Sequence, residues 1–472
     1  MIFQRFFEPK LAQASYLIGC TSTREALVVD PNRAIERYLR AAEDEGLRIR
    51  HITETHIHAD FVSGARELAA RTDGRLYLSG AGGSEWQYGY AGDAGATTVN
   101  DGFQFMVGRI QIQALHLPGH TPEHLAFLVT DQDGAEPMGA LTGDFLFVGD
   151  VGRPDLLERA VGARGTMEAG ARQLFHSIQR FRELSDYLQI WPGHGAGSAC
   201  GKSLSAVPQS TLGYEKRFNW AFGIQGEGEF VDAVLAGQPD PPRYFAHMKR
   251  INLNGPRLLG QRELPARLEL STLASALAAG KTVVDTRDAA AYGRGSVPGT
   301  LNIPGSRAFT TWAGSLLPYD QDFYLIVEGA KQQSRVEELV RDLAGIGLDR
   351  VAGYFDADVV QDWRRSRGGL QTIPTVPIDQ LTTSGDGKLL LDVRGPGEWM
   401  AGHVPGSLNV PVGELEGRFG DIPRDRPVIV HCQTGLRAAI AASLLRAEGF
   451  TDVSLFPGGF AEWRSSGHSV AT

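Results

Sequence analysis

Cysteine is scarce in this sequence. Three thiols in 472 residues, Cys20, Cys200 and Cys432, lie too far apart to form a disulfide framework. A reducing compartment fits them best, and a cytoplasmic location is the expectation. No run of about 18 apolar residues occurs, so no segment reads as a membrane span and no membrane partner is expected. The opening stretch MIFQRFFEPKLAQASYLIG lacks the apolar region and small-residue cleavage site of a signal peptide. Basic clusters are missing as well. A net charge of −9 with no lysine- or arginine-rich patch argues against a nucleic-acid partner, and none is expected. The remaining composition, 42% hydrophobic and 21% charged, is that of an ordinary soluble chain long enough for two to four domains.

An internal repeat organises the second half. VVDTRDAAAYGRGSVPGTLNIP (283–304) matches LLDVRGPGEWMAGHVPGSLNVP (390–411) at a constant offset of 107. Asp285 pairs with Asp392, Arg287 with Arg394, Gly299 with Gly406 and Asn302 with Asn409. In each copy a short β-branched run leads to a loop, a second strand and a helical segment, an alternation that makes parallel sheets covered by helices. GGLQTIPTVPID (368–379) reads as the linker between the copies. The expected domains are 1–250, 260–367 and 372–472.

The first 250 residues have another texture. Strand-like runs (YLIGC, EALVVD, RIRHITETH, RIQIQALHL, HLAFLVT) alternate with short glycine-rich loops, and helical stretches are predicted at 33–46 and 61–72. The loops collect metal-ligand types: His56, His58, Asp60, His116, His120, His124, Asp144 and His194. Four of these positions directly follow strand-like runs, where side chains converge at one sheet edge. Loop histidines and aspartates are commonly mere turn or capping residues. Four such loops in order point instead to a metal site. His116 and His124 are expected to be structural.

THIHAD, LPGHT, LTGD and WPGHG, in that order, resemble the metallo-β-lactamase fold motifs, which implies an αββα sandwich. GDVGRPDL (149–156) further resembles the persulfide dioxygenase branch of that family. The resemblance implies one Fe(II) per chain held by His56, His120 and Asp144. Two histidines and a carboxylate on one face leave open positions for dioxygen and a substrate sulfur. His58, Asp60 and His194 then become residues that orient the ligands. A two-metal hydrolase such as glyoxalase II would need a further ligand at position 61, where this chain has Phe61. The resemblance also offers Arg153 as a contact for the carboxylate of a thiol cofactor. Cys200, six residues past His194, could reach the metal pocket as a catalytic thiol or pack as a small hydrophobe. Cys20 reads as core.

Near the C-terminus, VIVHCQTGLRAAIAASLLRAEG runs from a strand through Cys432 into a helix. The loop Cys432, Gln433, Thr434, Gly435, Leu436, Arg437 could aim backbone N–H groups at the sulfur, with the helix's positive end behind it. With DVRGPGEWMAGHVPGSLNVP it resembles the rhodanese sulfurtransferases, which implies a persulfide on Cys432 and the loop residues as its binding site. Phosphatases of related design have one residue more between cysteine and arginine. The first copy has no cysteine, and IVEGAKQQSRV puts Gly329 or Ala330 at the thiol position. Taken together, the chain resembles bacterial persulfide dioxygenase–rhodanese fusions. The implied partners are a low-molecular-weight thiol persulfide such as glutathione persulfide, dioxygen, and sulfite or thiosulfate. A homo-oligomer is also expected. A zinc thioesterase and a sulfur carrier without oxygenase activity are the alternatives.

Overall fold

The computed structural model describes the chain except residues 133, 162–164, 239, 261–262, 330–332 and 382–386. Two compact units form, Met1–Arg262 with Ala344–Gly347, and Glu263–Leu343 with Leu348–Thr472.

In the first unit, strands β1 (Ile2–Glu8), β2 (Gln13–Gly19), β3 (Glu25–Val29), β4 (Arg48–Thr53), β5 (Arg75–Ser79) and β6 (Thr97–Val99) make one sheet in chain order. A second sheet runs in the order β12 (Ser210–Thr211), β11 (Gln189–Pro192), β10 (Gly139–Gly143), β9 (Leu125–Thr130), β8 (Ile110–His116), β7 (Gln104–Val107). Strand alternation explains why the sheets stack. Ala14, Tyr16 and Ile18 of β2 and Leu125, Phe127 and Val129 of β9 point into the core between the sheets. Leu17 points outward to Tyr38 and Ala42 of the helix Glu36–Asp44, and Ala126 and Leu128 point outward to Leu174 and Ile178 of the helix Thr166–Arg182. The result is the expected αββα sandwich, with Cys20 buried in its central core.

Both predicted helices begin later than their apolar pattern suggested, at Glu36 and Ala65. Residues 61–64 use their polar backbone elsewhere: Ser63 N–H donates to Asn252, Gly64 N–H to Pro31, and the Phe61 carbonyl accepts from Asn252. Backbone groups committed to such partners cannot join a helical ladder.

The second unit holds two four-stranded, all-parallel sheets. One runs β14 (Leu301–Asn302), β13 (Val283–Asp285), β15 (Phe323–Val327), β16 (Val351–Asp356). The other runs β18 (Leu408–Asn409), β17 (Leu389–Asp392), β19 (Val428–His431), β20 (Val453–Leu455). The repeat is visible bond by bond. Arg287 clasps Asp285 and donates to the Gly295 carbonyl, as Arg394 clasps Asp392 and donates to that of Gly402. Asn302 donates to the Asp285 and Arg287 carbonyls, and Asn409 repeats this on Asp392 and Arg394.

The stretch 368–379 is no loose linker. Gln371 pairs with Ser296 of the first copy and Thr375 with Leu455 of the second. The helix Leu436–Ala447 is buried at every residue from Ala438 to Leu445, against its own sheet and against β14. There Ser443 Oγ accepts from Asn302 N–H at 3.0 Å.

Candidate metal centre and thiol loop

Strand ends deliver the first site. β4 stops at Thr53 just before His56, and the parallel neighbours β10 and β11 release Asp144 and His194 from the same edge. The turn between β8 and β9 supplies His120. Close backbone approach is needed here: a Cβ on Gly193 would stand 2.7 Å from Asp144 Oδ1.

His56, His120 and Asp144 are buried, with one ligand atom of each within 4.8 Å of the others. Asp144 Oδ2 lies 3.6 Å from His120 Nε2 and 3.9 Å from His56 Nε2, and it has no hydrogen-bond partner. The hydrogen bonds behind the rings set their tautomers. Thr55 gives its hydroxyl proton to Asp30 at 2.9 Å, so the 3.0 Å contact to His56 is a donation from His56 Nδ1–H. His120 Nδ1 donates to the Arg153 carbonyl at 3.1 Å. Each ring therefore turns a bare Nε2 toward Asp144 Oδ2. Burial pushes the pKa of both rings down, that of His56 well below the ordinary range with His58 adding to it, so both stay neutral. Burial would raise the Asp144 carboxyl, but the charge of His194 and its hydrogen bond, with the neighbouring ring nitrogens, together hold the group well below the carboxylate range. Two neutral imidazoles and one carboxylate, with an orphaned buried oxygen between them, fit a divalent cation.

A second buried trio, Asp60, His194 and Cys200, adjoins the first. His194 bridges two carboxylates, its Nδ1 2.7 Å from Asp144 Oδ1 and its Nε2 2.7 Å from Asp60 Oδ2. Burial opposes charge on His194, yet Asp144 and Asp60 together lift its pKa well above the ordinary value. The structure thus seats Cys200 beside His194, not out in the core. Burial, reinforced by Asp144 and Asp60, pushes the Cys200 thiol well up. Phe61 is fully buried with its ring 4.4 Å from that of His58, and supplies no ligand. His58 itself bonds Asp30 at 3.1 Å, and although burial opposes it, Asp30 raises its pKa to about 9.

Arg153 departs from expectation. It is completely buried, its guanidinium is bidentate on Asp155 at 2.9 and 2.7 Å, and it donates to the Ala199 carbonyl at 2.9 Å. Committed inside the protein, this fork fixes the Cys200 loop and offers no face to a substrate carboxylate. His116 is structural, bonded to the Pro122 carbonyl, whereas His124 accepts the Asp144 N–H at 3.1 Å and so braces the ligand turn.

In the second unit, Cys432 is buried at the end of β19, and Gly435 N–H donates to its sulfur at 3.1 Å. Gly435 adopts φ 97°, and a Cβ there would stand 2.5 Å from the Pro457 carbonyl oxygen, so only glycine fits. Gln433 accepts from Arg394 at 3.4 Å, Thr434 is exposed and Leu436 opens the helix. Arg437 turns both arms to Glu398, at 2.5 and 2.8 Å. In the first copy the strand register overrules the thiol position expected from sequence. His431 faces Asp392 and Ile326 faces Asp285, so the counterpart of Cys432 is Val327, ahead of Gly329. Ala330 lies outside the described residues.

Four contributors escaped the sequence reading: Asp30, Thr55, Asn252 and Glu398. Asp30, at the end of EALVVD with φ 50°, is the one a sequence signal could have found.

Residues 9–194 match the family described as the metallo-beta-lactamase superfamily, and residues 378–466 match the rhodanese-like domain. A solved metallo-beta-lactamase from Staphylococcus aureus subsp. aureus COL is 44% identical, with a TM-score of 0.69, over 75% of this chain and 99% of its own. The mitochondrial persulfide dioxygenase of Bos taurus is 28% identical over 200 residues, 41% of this chain and 68% of its own. The hydroxyacylglutathione hydrolase of Rhodospirillum rubrum is 30% identical over 184 residues, 38% of this chain and 60% of its own. The cytoplasmic expectation does not stand, because the named persulfide dioxygenases it resembles are mitochondrial. Scattered thiols report redox poise, not a compartment. Among the described residues no helix is long and apolar enough to cross a membrane.

Proposed function

We propose, for a chain that belongs to the metallo-β-lactamase superfamily and carries a rhodanese-like domain, a persulfide dioxygenase joined to a sulfurtransferase. The observation that carries this reading is the orphaned Asp144 Oδ2 facing two bare imidazole nitrogens. His56, His120 and Asp144 would hold one ferrous iron. When bound, that iron supplies the one-electron chemistry that lets dioxygen react with sulfur. The net reaction, persulfide plus dioxygen plus water to thiol plus sulfurous acid, balances. The residues do the rest. Asp144 brings the negative charge, Thr55 and the Arg153 carbonyl fix the ring orientations, and His194 keeps a proton between Asp60 and Asp144. Burial of the whole cluster excludes bulk water.

Cys432 would carry a sulfane sulfur as its persulfide. Attack by sulfite on the outer sulfur forms the new S–S bond of thiosulfate and returns the Cys432 thiolate. Gly435 N–H, bonded to the sulfur, stabilises the anion at both stages. Three functional segments follow: 1–250 for oxidation, 260–367 as a rhodanese-like copy without a thiol, and 372–472 for transfer. Val327 at the thiol position supports the inactive assignment.

Metal analysis with oxygen uptake on glutathione persulfide tests the proposal. Stoichiometric iron and persulfide-dependent oxygen consumption are expected. A second reading, a two-metal thioesterase, draws on the trio of Asp60, His194 and Cys200. Two zincs per chain with rapid thioester hydrolysis would establish it instead, and sulfur transfer without any oxygen uptake would leave only a sulfur carrier.

A further inference from the structure

The helix Phe245–Asn254 turns Phe245, Met248 and Asn252 inward, a spacing of three and four residues that marks one buried face. Asn252 is the polar member of that stripe, at 1% exposure. A buried amide costs stability unless its donors and acceptor find partners. Here they all do, and on a single loop. Asn252 Nδ2 donates to the His58 carbonyl at 2.8 Å and to the Phe61 carbonyl at 2.7 Å. Its Oδ1 accepts the Ser63 N–H at 2.9 Å. The amide cannot be turned over, because its oxygen would then face two carbonyl oxygens.

The loop held in this way carries Asp60 between its two anchored carbonyls. Asp60 Oδ2 lies 2.7 Å from His194 Nε2, and His194 Nδ1 lies 2.7 Å from Asp144 Oδ1. That chain leaves Asp144 Oδ2 to face His56 and His120. We infer that Asn252 is a positioning residue of the metal centre. It fixes the backbone on both sides of Asp60, seats that carboxylate on His194, and so sets the oxygen that Asp144 turns to the ligand rings. Asn252 acts through the loop and not on the cation. The inference rests on His56, His120 and Asp144 as ligands, and not on the oxygen chemistry.

Cobalt(II) is the probe, since its visible absorption follows the number and placement of its ligands. The full chain, freed of metal, is titrated with cobalt(II) unaltered and as two variants. Asn252→Ala removes all three bonds. Asn252→Asp keeps the shape and the acceptor for Ser63 N–H but opposes a carboxylate oxygen to two carbonyls. Each should bind cobalt(II) about tenfold more weakly or worse, the usual effect of losing a partner that orients a ligand, and each should shift the absorption bands. Sulfur transfer at Cys432 should stay unchanged. A purely structural role predicts a lower unfolding midpoint with cobalt affinity and bands intact. That outcome overturns the inference, and so does failure of both variants to fold, which would make Asn252 a prop of the fold at large. If the unaltered chain takes up no cobalt(II), the ligand assignment falls and the inference with it. Absent oxygen uptake would sink the dioxygenase reading alone.

Discussion

His194 Nδ1 stands 2.7 Å from Asp144 Oδ1, and this contact divides one carboxylate into an engaged oxygen and a spare one. The engaged oxygen orients the group. The spare one, buried and unbonded, is what a cation would meet.

Asp144→Asn keeps the shape and removes the charge. Metal content should fall at least tenfold, and oxygen uptake with it, since a carboxylate ligand contributes charge that an amide lacks. Elemental analysis of protein made with iron present reads the outcome, and retained stoichiometric iron would refute the ligand assignment.

Cys432→Ser should abolish transfer of sulfur from thiosulfate to a thiol acceptor while oxygen uptake on a persulfide stays within about twofold. Loss of both activities together would show that the two chemistries are not separable.

Cys200 is accessible to the metal cluster but poorly ionised. Alkylation of its thiol at pH 8 should be at least tenfold slower than that of a free cysteine, because burial and two carboxylates oppose the thiolate. If Cys200→Ser also leaves the sulfite-to-thiosulfate ratio unchanged in a single turnover, the residue is packing alone.

His58 gives a pH test in the metal-free chain. Its folded pKa is raised above that of the unfolded chain, so its stabilising contribution is complete below about pH 6.5 and is lost as pH rises through about 9. The contribution is on the order of 3 kcal/mol, and His58→Gln should flatten that part of the stability profile in denaturant titrations. A variant that loses stability in parallel with the unaltered chain across this window would rule the pair out.

Ser443→Leu forces a large side chain into the contact with Asn302. A cost of about 1–3 kcal/mol is expected for such overpacking, together with reduced Cys432 activity and intact metal content. Wild-type sulfur transfer in this variant would show that the contact does not support the loop.

The ligand loops were legible because each ligand type follows a strand-like run within a few residues, and strand patterning reads reliably when one face is buried. Long-range partners were not. A charged residue in a loop such as Arg153 reads as exposed, and only the fold reveals that Asp155 and the Ala199 carbonyl take it entirely inside. Cys200 was undecidable for the same reason. Its position depends on Arg153 at one end of its loop and on Asp150, which accepts from Lys202 and Ser203 N–H, at the other. The thiol position of the first copy failed differently. Sequence matching placed the gap inside the loop, whereas pairing between β13 and β15 puts it before the loop, at Val327.

Between Ala438 and Leu445 the helix Leu436–Ala447 has no wettable side, and this carries a consequence for how the gene can change. Ancestral duplicates are ordinarily free to drift apart or to be deleted once one of them loses its chemistry. Here the copy with Val327 covers the helix that starts at the Cys432 loop of the other. A truncation within 368–379 would leave that helix as an exposed apolar strip, prone to self-association. Losing the copy would uncover that buried face, so the copy without a thiol gives its neighbour mechanical support.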